Sequence, residues 1–74
     1  MFEIKVPHLG TNDDFAEVTW LRNGVCQAGE SIAMLETTKA VFDIMAEADG
    51  LPIWQVAVGD DVKVGTVMGH VKSR

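Results

Sequence analysis

Glu36-Thr37-Thr38-Lys39-Ala40 is the segment of this sequence that offers a reactive group in a defined setting. Ile32-Ala33-Met34-Leu35 leads into it and Ala40-Val41-Phe42-Asp43-Ile44 leads out. Both flanks read as strands, so the five residues form a tight turn with Lys39 at its tip. A lysine held there presents its amine to solvent, where it can be acylated. A lysine exposed to water is almost wholly protonated at neutral pH and does not acylate itself. On these five residues alone, an ordinary solvated hairpin lysine stays open.

Other reactive groups are sparse. His8 and His70 have no Cys or carboxylate at metal-ligand spacing, so no metal site is expected. No Ser, His and Asp arrangement suggests a hydrolase. Cys26 stands alone and cannot form an internal disulfide. It reads as a small buried hydrophobe in a reducing compartment, because no His or basic residue adjoins it to activate the thiol. Met34 and Met45, on either side of the turn, read as core or rim packing, and Trp20 and Trp54 as core.

The elements that must position Lys39 come from a short chain. Seventy-four residues make one domain, 1–74, and 47% apolar content supplies one small core. A chain of this size buries only about 60% of its unfolded surface. Little is left to build an enzymatic pocket, which favours a module over a complete enzyme. Eleven acids against six bases give a net charge of −5 with no basic patch, which argues against nucleic acid as a partner. No apolar run reaches the length of a membrane span, and the N-terminus lacks a signal-peptide pattern.

Alternation of apolar and polar residues predicts eight short strands and no capped amphipathic helix. They lie near Phe2–Val6, Ala16–Trp20, Val25–Ala28, Ile32–Leu35, Ala40–Ile44, Leu51–Val58, Val62–Val64 and Val67–Val71. Asn23-Gly24 is a hairpin signal. A repeat with an offset of 36 pairs Gly29 with Gly65, Cys26 with Val62, Ile32 with Met68 and Leu35 with Val71. The same offset pairs Val18 with Trp54, Trp20 with Val56, Ile4 with Ala40 and Val6 with Phe42. Two matching halves predict a quasi-twofold sandwich with a shared core. The twofold counterpart of the lysine hairpin is then the pair of chain ends, expected together at the end remote from Lys39.

Nearly the whole chain resembles the lipoyl domains of the biotinyl/lipoyl carrier family. The residues that carry the resemblance are Val6-Pro7-His8-Leu9-Gly10, Trp20-Leu21, Gly29-Glu30-Ser31-Ile32, the lysine pentapeptide, Gly50-Leu51 and Val58-Gly59-Asp60-Asp61-Val62-Lys63-Val64-Gly65. The resemblance implies an all-β, flattened barrel-sandwich of two four-stranded antiparallel sheets with quasi-twofold symmetry. It implies lipoic acid as cofactor, in amide linkage to Lys39, which would make the net charge one unit more negative. The domain would then be a non-catalytic swinging-arm carrier of a 2-oxo acid dehydrogenase complex. Its implied partners are a lipoyl ligase, a thiamin-dependent 2-oxo acid dehydrogenase, an acyltransferase domain and dihydrolipoamide dehydrogenase, in the cytoplasm or the mitochondrial matrix.

Glu36, Thr38 and Ala40 are the recognition candidates around the lysine. In the family the loop spanning Gly10 to Phe15 lies beside the hairpin, so Asp13 and Asp14 would offer negative charge to a basic dehydrogenase entrance. Thr38 stands where the family usually has Asp, and Phe15-Ala16-Glu17 where it often has a Glu-Gly pair. A type I turn over Thr37–Ala40 accepts Thr38, whereas a turn with positive φ there would not suit a β-branched residue. Two other readings remain: a biotin carrier on the same fold, whose lysine is usually flanked by methionines, and an unmodified barrel-sandwich docking module.

Overall fold

The computed structural model describes residues 2–9 and 14–73. These form seven strands: β1 (Phe2–Lys5), β2 (Phe15–Leu21), β3 (Ser31–Glu36), β4 (Val41–Met45), β5 (Leu51–Trp54), β6 (Asp61–Lys63) and β7 (Val67–Lys72). All pairings are antiparallel, in sheets of order β1-β7-β5 and β4-β3-β2-β6. Among the described residues there is no helix. The molecule is flattened, with extents of 37 × 20 × 16 Å.

The eighth expected strand shrinks to a bridge. Cys26 donates to Gly50 O (2.7 Å) and Gly50 donates back to Cys26 O (3.0 Å), which extends β5's sheet by a single rung. Pro52 explains why it stops. Val18, in the matching place of the other sheet, donates its N–H to Asp60 O (2.8 Å). Proline has no N–H to offer, so the ladder cannot continue past it. Asn23-Gly24 is accordingly not a hairpin. The chain leaves β2 in one sheet and reaches Cys26 in the other, where the buried Cys26 side chain enters the core.

The twofold repeat is real, but its register differs from a uniform offset. The central strands β3 and β7 match residue for residue, with Ile32, Ala33 and Leu35 buried in one and Met68, Gly69 and Val71 in the other. Two successive buried residues break the alternation, and in both halves the neighbouring ladder shifts there by a bulge. Elsewhere the counterparts move. Ala46 donates to Glu30 O and accepts from Gly29; Val6 donates to Thr66 O and accepts from Gly65. Val6 therefore answers to Ala46, not Phe42, and Ile4 to Ile44, not Ala40. Val18, opposite Leu35, answers to Pro52, opposite Val71, not to Trp54.

A further bulge, between Val18 and Trp20, reverses the inward face of β2. Ala16 and Val18 are buried, yet Trp20 points outward and is 39% exposed. Its place against the core passes to Leu21. Trp54 does pack on the core, and its indole N–H reaches Arg22 O at 2.9 Å. Met45 sits at the end of β4 away from the turn, opposite Ser31, and is exposed. The two sheets close over Val18, Ile32, Leu35, Met68, Val71 and Cys26, all essentially inaccessible.

The first and last strands lie where the repeat puts them. Phe2 pairs with Val71. Phe2–Lys5 form a shallow cleft with Ile44, Met45 and Glu47, the end of β4 remote from Lys39.

Candidate functional site

The candidate site is the β3–β4 hairpin. Glu36 and Val41 form its last strand pair, and Thr37–Ala40 make the turn. Among the described residues, none other than glycine has positive φ. Types I′, II′ and II all require one at a central position, so a type I turn is the form that Thr38 and Lys39 can adopt. That geometry accommodates the β-branched Thr38 without strain.

The neck of the turn is tied by one side chain. Thr37 N–H donates to Ala40 O (2.8 Å), and the Thr37 hydroxyl donates to the same oxygen (3.3 Å). The hydroxyl oxygen also accepts from Lys39 N–H (3.2 Å) and from Ala40 N–H (3.1 Å). Thr37 and Ala40 are half-buried, whereas Thr38 and Lys39 are exposed. The ion pairs present are Lys5–Glu3 and Arg22–Glu30. Neither involves Lys39, so among the described residues its ammonium is not neutralised by a carboxylate.

One side of the hairpin borders a shallow groove lined by Phe15, Ala16, Glu17, Glu36, Thr37, Thr38 and Asp61. The start of β2 thus lies beside the lysine turn, and Asp14, exposed, immediately precedes it. Asp13 lies outside the described residues. The pairings Glu36–Glu17 and Glu17–Asp61 align three carboxylates across β3, β2 and β6 on one outer face. Directly opposed like charges weaken a sheet, and here they give the lysine hairpin a negative rim. Of the residues marked from sequence, Glu36 and Thr38 join this groove, Ala40 closes the turn, and the two methionines take no part.

Three contributors were not marked from sequence. Thr37 could have been: a Ser or Thr ahead of a turn commonly bonds the N–H groups two and three residues on. Glu17 and Asp61 carry no local signal, because β2–β6 pairing alone brings them to Glu36.

The hairpin fits a group held in amide linkage. Its lysine is exposed, and the turn bonds made by the backbone and by Thr37 do not use the Lys39 side chain.

A flattened sandwich that holds out one lysine on a hairpin defines a class of carrier domain, which bears a covalently attached group and does not itself catalyse that group's chemistry. The family model Biotin_lipoyl, described as "Biotin-requiring enzyme", matches residues 2–71. The chain belongs to this biotin/lipoyl family. Its structure is similar to the solution structure of the lipoyl domain of the 2-oxoglutarate dehydrogenase complex from Azotobacter vinelandii. The two share 26% identity with a TM-score of 0.76, over 99% of this chain and 98% of that one. No curated protein matches the chain in sequence.

Proposed function

We propose that Lys39 bears a lipoyl group in amide linkage and that the domain carries acyl groups between the active sites of a 2-oxo acid dehydrogenase complex. The observation that carries this reading is the exposed Lys39, without an ion pair among the described residues, at the tip of a hairpin whose neck is tied without its side chain. Likeness to a lipoyl domain of a 2-oxoglutarate dehydrogenase complex supports the lipoyl group over biotin. So does the sequence beside the lysine, where Thr38 and Ala40 stand in place of methionines.

Bound to Lys39, a lipoyl group supplies a thiol–disulfide couple, which the single buried Cys26 cannot. The chain's own residues have other tasks. Lys39 provides the nitrogen, and it must lose a proton before that nitrogen can form the amide. In this reading a lipoyl ligase supplies the base and reads the folded turn. The two sheets hold the turn rigidly outward, so an arm on a tethered domain meets several active sites at high effective concentration. The partners in this reading are that ligase, a thiamin-dependent 2-oxo acid dehydrogenase, an acyltransferase domain and dihydrolipoamide dehydrogenase. A buried, unpaired Cys26 suits a cytoplasmic or matrix setting.

Peptide mass mapping after co-expression with a lipoyl ligase tests the proposal. One lipoyl group on the peptide that contains Lys39 is expected. An unmodified Lys39, or a lipoyl group on Lys5, Lys63 or Lys72, overturns it, and biotin acquired from a biotin ligase instead assigns the domain to the other branch of the family.

Thr38 offers a second test. It is exposed at the second position of the turn, where Asp is equally well accommodated. Thr38→Asp should therefore leave the fold unchanged and keep or raise the initial rate of lipoylation. A marked fall in that rate would mean that the ligase of this system reads threonine.

A further inference from the structure

We infer that the Thr37 hydroxyl is a positioning group for the modification of Lys39. This rests on Lys39 being the modified residue, and it concerns how the chain presents that residue rather than which group it bears.

The hydroxyl uses its full capacity, one donor and two acceptors. It donates to Ala40 O and accepts from Lys39 N–H and Ala40 N–H. The bond to Lys39 N–H is the decisive one. It ties the modified residue's own backbone to the residue two positions earlier, at the point where the ladder of β3 and β4 has ended. Lys39 Cα, and with it the origin of the side chain, is thereby held relative to the sheet.

Two features separate positioning from mere stability. Lys39 is fully outside the core, so its N–H can bond water when the hydroxyl is removed, and the fold loses little. A ligase, by contrast, must bring one amine to an activated carboxyl within a fixed site. Catalysis of this kind is sensitive to placement, and a displacement of about one ångström can cost about a hundredfold in rate. A turn free to sample other shapes presents the amine correctly only part of the time.

The experiment compares the parent with T37S, T37V and T37A. Valine preserves the branched shape without the hydroxyl, serine preserves the hydroxyl, and alanine gives a second hydroxyl-free chain if valine disturbs the neck. Initial rates of lipoylation by purified ligase are read beside amide hydrogen exchange at Lys39 and Ala40. Acetylation of Lys39 by a small activated ester reports the intrinsic reactivity of the amine.

In T37V and T37A the ligase kcat/KM should fall about tenfold. The Lys39 and Ala40 amides should exchange about tenfold faster. T37S should restore both, and chemical acetylation should be the same in all four chains. Ligase rates in T37V and T37A equal to the parent overturn the inference, and so does a T37S rate as low as theirs. Equal loss in the chemical acetylation would place the effect in the amine itself and also overturn it. A parent chain that the ligase does not modify refutes the lipoyl assignment instead, and the two failures are thereby distinguished.

Discussion

Lys39→Ala is expected to abolish acyl carriage completely while leaving the domain folded. The side chain makes no ion pair among the described residues, and the hydrogen bonds of the turn use the Lys39 backbone N–H, which alanine retains. Negative φ at this position suits alanine as well as lysine. An exposed substitution of this kind changes stability by about 0.5 kcal/mol or less. In a domain of this size that is a melting shift within about 4 °C. On the proposed attachment, function depends on one nitrogen, and no other described lysine has its setting. Lys5 and Lys72 lie on strands of the opposite sheet, and Lys63 ends β6. The measurements are thermal unfolding by circular dichroism and reductive acylation by a 2-oxo acid dehydrogenase. Residual acylation above background would show a second attachment site, and a large fall in melting temperature would contradict the exposed, unpaired placement of Lys39.

The largest effect on stability is expected far from the site, at Gly69. It lies in β7, the central strand of the β1-β7-β5 sheet, and is buried. A Cβ built there falls 2.1 Å from Ile53 O and 3.0 Å from both Ile53 C and Trp54 Cα. These are backbone atoms of the paired strand β5, so no side-chain rotation relieves the clash. Either β5 moves off, with loss of its ladder, or β7 shifts and disturbs β1 on its other side. Gly69→Ala should cost about 3 kcal/mol, at or beyond the usual upper range for overpacking. A domain of this size has about 4 to 11 kcal/mol in all. The urea midpoint should therefore drop steeply, and part of the population should be unfolded well below the parent's melting range. A loss under about 1 kcal/mol would show that the strands separate more easily than the packing indicates. The matching residue of β3 is Ala33, which is buried with its methyl group in place. The β2–β3 register carries a bulge nearby, between Val18 and Trp20, whereas the β5–β7 register runs without one.

That contrast shows what a reading of the sequence could and could not reach. The lysine turn was legible because its signals are local: two alternating flanks, a five-residue break, and turn-tolerant residues between them. The all-β class was legible for the same reason, since a period of two is written into each strand. The twofold was half legible. Alternation is unchanged by any even shift, so Ile4 matched Ala40 as well in the sequence as it matches Ile44 in the fold. A single extra residue at the β2 bulge then turned Trp20 outward, which alternation cannot foresee because bulges arise from pairing with another strand.

The site divides in the same way. Lys39, Glu36, Thr38 and Ala40 are neighbours along the chain, and their arrangement follows from one turn. Thr37 belongs with them, and its bonding pattern is local too. The groove beside the lysine is another matter. Phe15, Glu17 and Asp61 come to it through the pairings of β2 with β3 and β6, over separations that carry no local signal. Local signals along the chain suffice to hold a lysine out on a hairpin of a β domain. The surface around that lysine follows from strand pairing, because register is settled by hydrogen bonds between distant segments and by the one arrangement of bulges that buries both central strands.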